Sequence, residues 1–295
     1  MKFRVRHLTR YRYEDPVDLA SHILHLTPRD CRGQHVLTTG LDIDPAPSRR
    51  VDGRDHFGNH LSWISLDQSH PVFSVMAESV VEACFPPPPP DEETPAWEEV
   101  VALARAGAGA AMEAAEYVFP SVMAPADPDA GRYVAISFPP GRPILTGLRD
   151  LLARIRGEFK FRAGITDLHT PVSRVVAQKA GVCQDFSHMV IAGLRWLGLP
   201  ARYVSGYIRT YPPPGQKRRE GTDASHAWVG CWLGPAHGWV DIDPTNNLIV
   251  SDEHVVIGWG RDYDDVSPVR GIILGGGRHD MLVSVDLAPL EEEVT

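Results

Sequence analysis

The sequence predicts an α+β protein: an N-terminal antiparallel, β-sandwich-like domain followed by a core that mixes helices and strands. In residues 1–85, short segments alternate apolar and polar side chains, a pattern typical of strands with one buried face. After residue 95 the apolar spacing becomes helical, and then strand-like again. Helices followed by a run of strands favour α+β over alternating βαβ units.

A proline-rich segment, "FPPPPPDEETP", separates the two parts. Consecutive prolines form a stiff polyproline spacer, which ends any regular element before it. We therefore assign residues 1–85 to the β domain, 86–95 to a linker and 96–295 to the core with its C-terminal strands. Two domains suit a chain of 295 residues.

Each predicted element has a local reason. Alternation predicts strands at 3–5, 37–43, 61–66 and 72–83 in the first domain, and strands at 201–208, 226–233 and 239–243 in the core. Residues 255–256 and 281–285 could add further strand. Helical spacing predicts helices at 97–106, 145–158, 172–180 and 183–197. Thr170 and Pro171 suit the N-cap and first turn of the third helix, which Gly181 would end.

Composition excludes several classes of function. The net charge of −9 provides no basic field for nucleic acid or an anionic membrane. No apolar run approaches the roughly 20 residues of a membrane helix, and the N-terminus lacks an apolar signal core. The four cysteines are scattered without a CxxC pair, which argues against a disulfide framework or a zinc knuckle. We expect a soluble, cytoplasmic protein without a cofactor.

The placement of Cys183 is unusual for a structural cysteine. It lies after a glycine turn, directly before the apolar helix of "AGVCQDFSHMVIAGLRWLGLPARYV". At the start of a helix, free backbone N–H groups and the helix dipole stabilise a thiolate. Asp185 could cap the same helix end, and His188, further along, is expected to be structural.

Two further segments could complete a catalytic group. "DASHAWVGCW" places His226 at the start of an apolar strand, and "GWVDIDPTNN" places Asp243 at the end of the next. A hairpin at "GPAHG" would bring both strands together. A thiolate, an imidazole and an orienting carboxylate are what cysteine acyl-transfer chemistry requires. Asp241, two residues earlier, is the competing carboxylate.

These three segments resemble the Cys, His and Asp boxes of the transglutaminase-like superfamily, and specifically bacterial transglutaminase-like proteins described as cysteine proteases. "MKFRVRHLTRYRYEDPV" and "GRDYDDVSPVRG" resemble that family's N-terminal β domain and its tail. The resemblance implies a papain-like, transglutaminase-like α+β core. It also implies Cys183 as nucleophile, His226 as base and Asp243, rather than Asp241, as orienter.

A peptide or protein is the expected substrate. Gln184, Tyr207 and Trp228 are the residues that we expect to contact it. Hydrolysis is favoured over amine transfer, because the basic Lys217–Arg219 segment before His226 would repel a lysine acceptor.

Three alternatives stay open: a protein-glutamine γ-glutamyltransferase, a non-catalytic binding module with the same fold, and a zinc hydrolase using Cys183, His226 and Asp243. No EF-hand spacing for calcium is present, and we interpret "GRDYDD" as a solvated acidic turn.

Overall fold

The computed structural model describes residues 1–109, 111–211 and 225–290. The N-terminal part is a seven-stranded antiparallel sheet. Its strands are β1 (Lys2–Leu24), β2 (Gln34–Asp44), β3 (Arg49–Arg54), β4 (His60–Leu66) and β5 (His70–Ala83), joined from the far end of the chain by β13 (Val269–Gly275) and β14 (His279–Pro289).

β1 is the spine of this sheet. Its first half pairs with β5 and β14, and its second half pairs with β4 and β13. The register shifts between Arg12 and Val17, where β1 passes from one half to the other. Buried side chains from β1, β2, β4 and β5 form one apolar cluster, which includes Leu24, Ile64 and Phe73. The predicted sandwich-like domain is thus built from a single curled sheet.

The two C-terminal strands lie in this sheet and not in the core to which the sequence assigned residues 269–289. Leu24 pairs with Val269 at one end of β1, and Phe3 pairs with Pro289 at the other. Alternation predicts a strand at 281–285, within β14, whereas β13 was not predicted, and alternation carries no information on which strand either pairs with. The partner lies more than 240 residues away, so only the folded chain shows it.

The core combines six helices with a five-stranded antiparallel sheet, counted over the described residues. The sheet order is β11 (Leu248–Ile249), β10 (Trp239–Asp243), β9 (Ser225–Trp232), β8 (Ala201–Ile208) and β12 (His254–Gly260). A short parallel pair, β6 (Lys160–Phe161) and β7 (Ala180–Gly181), lies beside it. The helices are α1 (Trp97–Ala106), α2 (Ala111–Ala115), α3 (Pro128–Ala135), α4 (Ile144–Glu158), α5 (Val172–Gln178) and α6 (Cys183–Trp196).

α6 is the central helix of the core. Its residues Met189, Val190 and Leu194 are fully buried in a cluster that includes Val229 and Cys231 of β9. Apolar residues of the core pack around α6, which explains why nearly the whole helix is buried. This packing fixes the N-terminal end of α6, and therefore Cys183, relative to β9.

α5 is two residues shorter than predicted, and its ends differ from the expected caps. It ends at Gln178 because Lys179 adopts a left-handed conformation (φ 48°), after which Ala180 and Gly181 pair with β6. Pro171 is the N-cap and makes no side-chain capping bond. The Thr170 hydroxyl bonds Asp167 instead.

Side-chain amides join the two sheets. Gln34 forms two hydrogen bonds with the backbone of Val256 in β12, and Asn59 forms two with the backbone of Trp259. An apolar cluster that includes Phe3 and Val255 adds to this interface. No helix in the described part of the chain is long and apolar enough to span a bilayer.

Candidate active site

Cys183 is the first residue of α6, and its side chain is partly exposed. In the first helical turn a backbone N–H has no intrahelical acceptor, so the Cys183 N–H is free to bind an anion beside the sulfur. A thiolate here also gains from the positive end of the helix dipole. The position therefore suits a nucleophile.

Asp185 organises the start of α6, as the sequence suggested. Its Oδ2 accepts a hydrogen bond from the Val182 N–H at 2.7 Å and one from the Thr166 hydroxyl at 2.7 Å. Gly181 is required here because a Cβ at that position would lie 2.7 Å from the same oxygen. Burial raises the pKa of Asp185 despite these donors. The carboxylate therefore holds the start of α6 in place.

His226 and Asp243 form a short, buried ion pair. Nε2 of His226 lies 2.7 Å from Oδ2 of Asp243, and the carboxylate is fully buried. β9 and β10 are neighbours, which brings a residue at the start of one strand beside a residue at the end of the other. The pairing is the one that the hairpin in the sequence suggested.

Cys183 lies near enough to the same imidazole to raise its pKa. Because the carboxylate occupies Nε2, Nδ1 is the nitrogen available to sulfur. Burial opposes a charge on His226, but the bonds to Asp243 and Cys183 outweigh it and raise the pKa of the imidazole. The buried pairing with Asp243 therefore favours the imidazolium form of His226.

The carboxylate of Asp243 is held ionised by several donors. Its Oδ1 accepts the backbone N–H groups of Thr245 (2.9 Å) and Asn246 (3.2 Å), and Oδ2 accepts the Asn246 side-chain amide at 2.7 Å. Burial alone would raise its pKa, yet the hydrogen bonds to His226 and Asn246, together with the nearby His254, lower it. Asn246, the first asparagine in "DPTNN", was the available signal in the sequence for this contact.

Asp241, the competing carboxylate, is engaged elsewhere. Its Oδ2 accepts the indole N–H of Trp228 at 3.0 Å, and Oδ1 lies 3.5 Å from Arg202. The sheet pairing places it opposite Gly230, which is four residues along β9 from His226. Of the two aspartates, Asp243 is the one beside His226.

His254 is a member of this group that sequence reasoning missed. It is 1 % exposed, and its Nε2 lies 3.5 Å from Asp243 Oδ2, which is long for a hydrogen bond. That nitrogen has no closer partner among the described residues. The Ser251 N–H points at Nδ1, so the imidazole proton lies on Nε2, toward the carboxylate. No signal in "EHVVIGWG" distinguishes it from a core histidine.

Two of the predicted substrate contacts are corrected by the structure. Tyr207 is 2 % exposed, and its hydroxyl lies 2.6 Å from Nδ1 of His7 at the interface between the sheets. Trp228 is fully buried beside His226, with its N–H bonded to Asp241. Neither side chain offers surface to a substrate. Gln184 is partly exposed next to Cys183, and its role stays a prediction.

Other sequence features have definite places. His188 is buried, stacks on Tyr203 and accepts the Tyr263 N–H, and burial lowers its pKa to about 4. The "GRDYDD" turn is not solvated as expected, because Asp262 is buried and accepts two backbone N–H groups, one of them from Met123. Apart from Tyr211, the basic loop with Lys217–Arg219 falls in the stretch 212–224, outside the described residues.

The zinc alternative needs three ligands around one point. In the described residues no three His, Cys, Asp or Glu side chains are grouped to hold a metal ion. Nε2 of His226 is directed at Asp243, and Cys183 raises the pKa of the same ring. This is the order of a proton-transfer chain.

Comparison with known proteins places the chain among relatives with the same organisation. Residues 3–82 match the bacterial transglutaminase-like N-terminal region, and residues 140–244 match the transglutaminase-like superfamily core. An uncharacterized protein of Mycobacterium tuberculosis is 41% identical over 98% of this chain and 93% of its own length. The chain belongs to the transglutaminase-like superfamily.

Further matches agree with this. An uncharacterized protein of Mycobacterium leprae is 31% identical, over 98% of this chain and 99% of its own length. A crystal structure of a candidate cysteine protease from Cytophaga hutchinsonii superimposes with a TM-score of 0.76 at 20% identity, covering 100% of this chain and 92% of that one. The predicted family and α+β fold are confirmed. The superfamily core match contains Cys183, His226 and Asp243, whereas His254 lies beyond its end.

Proposed function

We propose that this transglutaminase-like chain is a thiol-dependent acyl-transfer enzyme that acts on peptide or amide bonds, with hydrolysis as the main outcome. One observation carries the proposal: His226 lies 2.7 Å from the buried carboxylate of Asp243, and Cys183 lies near enough to raise the pKa of the same imidazole. A non-catalytic module would not need a partly exposed thiol joined to a buried ion pair.

In the acylation step, the Cys183 thiolate attacks the amide carbonyl and forms a C–S bond. The His226 imidazolium donates its Nδ1 proton to the leaving nitrogen as the C–N bond breaks. The products are a free amine and a thioester on Cys183, and His226 is left neutral. Asp243 stabilises the imidazolium and keeps the ring oriented throughout.

In the second step, neutral His226 removes a proton from water, which attacks the thioester. The C–S bond breaks, a carboxylic acid leaves, and the thiolate–imidazolium pair is restored. The Cys183 N–H, which is free of an intrahelical acceptor, is the proposed oxyanion donor in both steps. Gln184, partly exposed beside it, is a proposed substrate contact.

The partial exposure of Cys183 supports hydrolysis over amine transfer. Transfer requires that an amine reach the thioester ahead of bulk water, and a thiol open to solvent does not favour the amine. A protein-glutamine γ-glutamyltransferase is the second candidate, since the same residues serve both reactions. The proposed substrate is a peptide or protein and the proposed location is the cytoplasm, where the four free cysteines of this chain would stay reduced.

The test is a partition experiment. Peptide amides are incubated with the protein in the presence of excess primary amine, and free acid is compared with amide product by mass spectrometry. We expect mostly acid, and loss of both products in Cys183→Ala. The matched control is Cys84→Ala, which removes an exposed thiol away from the site and should leave turnover unchanged. Mostly amide product would favour the transferase, and turnover by Cys183→Ala would refute the thiol mechanism.

A further inference from the structure

A cavity of about 490 Å³ lies between the polyproline segment and the core sheet. Its walls are mainly apolar and aromatic, and include Phe85, the prolines at 86–89, Trp239, Val250 and Trp259. Cys183, His226 and Asp243 are not among the described residues that line it. A cavity of this size with a few polar groups is the usual form of a small-molecule site.

A buried charge pair forms the polar part of the cavity. Arg202 and Asp241 both line it, with 7% and 13% of their side chains exposed, and Arg202 Nη2 lies 3.5 Å from Asp241 Oδ1. Gly230 makes room for this pair, because a Cβ there would lie 2.7 Å from Arg202 Nε and 2.8 Å from Asp241 Oδ1. The pair is therefore accommodated by the backbone of the sheet.

The guanidinium of Arg202 is stacked between two tryptophans. Its Cζ lies 4.3 Å from the ring centroid of Trp239 and 3.8 Å from that of Trp259. Stacking on both faces leaves only the edge of the planar group for hydrogen bonds. Nε of Arg202 has no hydrogen-bond partner in the described part of the chain. A buried guanidinium held this rigidly has donor capacity that the protein itself does not use.

A second arginine lies against the same aromatic stack. On the other side of Trp259, 3.3 Å from its centroid, lies Arg29, whose hydrogen bonds go to neutral acceptors, the Phe57 carbonyl and the Asn59 side chain. Of the two guanidinium groups on this stack, only that of Arg202 forms an ion pair with Asp241 among the described residues.

Three other charged groups are near. The negative charge of Asp55 also stabilises the charge of Arg29. The Asp55 carboxylate lies 3.6 Å from His25 and accepts hydrogen bonds from the backbone and side chain of Asn59. Arg32 and Glu113 line the cavity with opposite charges. The three arginines and the three carboxylates balance in number, so the preference for an anionic ligand rests on the unpartnered Nε of Arg202.

We propose that this cavity is a second binding site, for a small carboxylate with an aromatic or otherwise apolar body. The carboxylate of the ligand binds the edge of the Arg202 guanidinium. The apolar body of the ligand lies in the cavity, with the tryptophans on one side and the proline wall on the other. The inference goes beyond acyl transfer at Cys183 and does not depend on it.

The probe is N-acetylphenylalanine, and its matched control is N-acetylphenylalaninamide, which has the same shape without the charge. Binding is measured by calorimetry on Cys183→Ala protein, so that turnover does not interfere. We expect the acid to bind at least about tenfold more tightly than the amide, the effect of one charge-assisted hydrogen bond. Equal binding of the two, or no binding of either at millimolar concentration, overturns the proposal.

Arg202→Lys keeps the positive charge but removes the planar group and the edge that would bind the carboxylate. This substitution should weaken binding of the acid about tenfold or more without changing binding of the amide. Arg174→Lys, at an exposed arginine of α5, is the control. Because Arg202→Lys could disturb folding, a crystal of the unsubstituted chain soaked with the acid gives an independent result. Density with the carboxylate at Arg202 supports the site, and density elsewhere or none overturns it.

Discussion

The side-chain amide of Gln34 binds both backbone groups of Val256, donating to its carbonyl at 2.8 Å and accepting from its N–H at 2.7 Å. Val256 lies in β12, the strand at the edge of the core sheet, and the same strand begins with His254. An edge strand presents unpaired backbone groups, and here a side chain from the other sheet pairs with them. The N-terminal sheet thereby holds a strand that contributes to the candidate active site.

Gln34→Met should lower the free energy of unfolding by about 2–5 kcal/mol. The two side chains are similar in size, but methionine leaves the Val256 N–H and carbonyl buried without partners, at about 1–3 kcal/mol each. Urea unfolding measures the difference. Gln68→Met, at an exposed glutamine, is the control and should stay within about 0.5 kcal/mol of the wild type. An equally stable Gln34→Met variant would show that the two bonds contribute little.

Asp243→Asn should damage turnover far more than Asp241→Asn. Only Asp243 contacts His226, and loss of such an orienting carboxylate costs about 10⁴-fold in comparable triads. Asp241→Asn weakens the contact with Arg202 and should change kcat/KM by less than about tenfold. Steady-state kinetics on folded variants, checked by circular dichroism, gives the comparison. Similar losses in both would mean that the wrong aspartate has been assigned.

His254→Phe should lower kcat by about 10–100-fold with little change in KM. The imidazole acts through Asp243, so it is a positioning residue, and phenylalanine removes its one polar contact with that carboxylate. His254→Gln retains an N–H donor and should recover most of kcat. If His254 served only to fill space, the kcat of each variant would depend on packing alone. A His254→Gln variant with a kcat no higher than that of His254→Phe would therefore contradict the positioning role.

The stability of the fold should fall below neutral pH, in part through His22. Burial, with a smaller effect of His70, lowers the pKa of His22 to about 4, and the ring stacks on Phe73. The unfolded chain therefore takes up the proton first, so stability is complete above the unfolded pKa of about 6.5 and is lost as the pH falls toward the folded value. Between about pH 7.5 and pH 5 this histidine should account for about 2 kcal/mol.

Urea unfolding of the wild type and His22→Phe at these two pH values tests the assignment. The substituted chain should lose about 2 kcal/mol less on acidification, because phenylalanine keeps the stacked ring and binds no proton. His169→Phe, at an exposed histidine, should behave like the wild type. An unchanged pH dependence in His22→Phe would show that this histidine is protonated in the fold.

Local rules predicted the elements that place the catalytic group. Apolar spacing gave the bounds of β8 and β10 as the structure has them, and helix-terminus chemistry identified Cys183. The missing parts depend on contacts between distant segments. Nothing near His254 shows that it faces Asp243, and the burial of Tyr207 follows from its contact with His7, 200 residues earlier.

The pairing of β1 with β13 and β14 has a consequence for how the chain folds during synthesis. β1 is synthesised long before β13 and β14, yet one of its long edges is covered only by residues 269–289. That edge must stay open until those residues have been made. The long loop closure predicts slow completion of the N-terminal sheet. Residues 1–85 expressed alone would expose an unpaired strand edge, and we expect that fragment to aggregate.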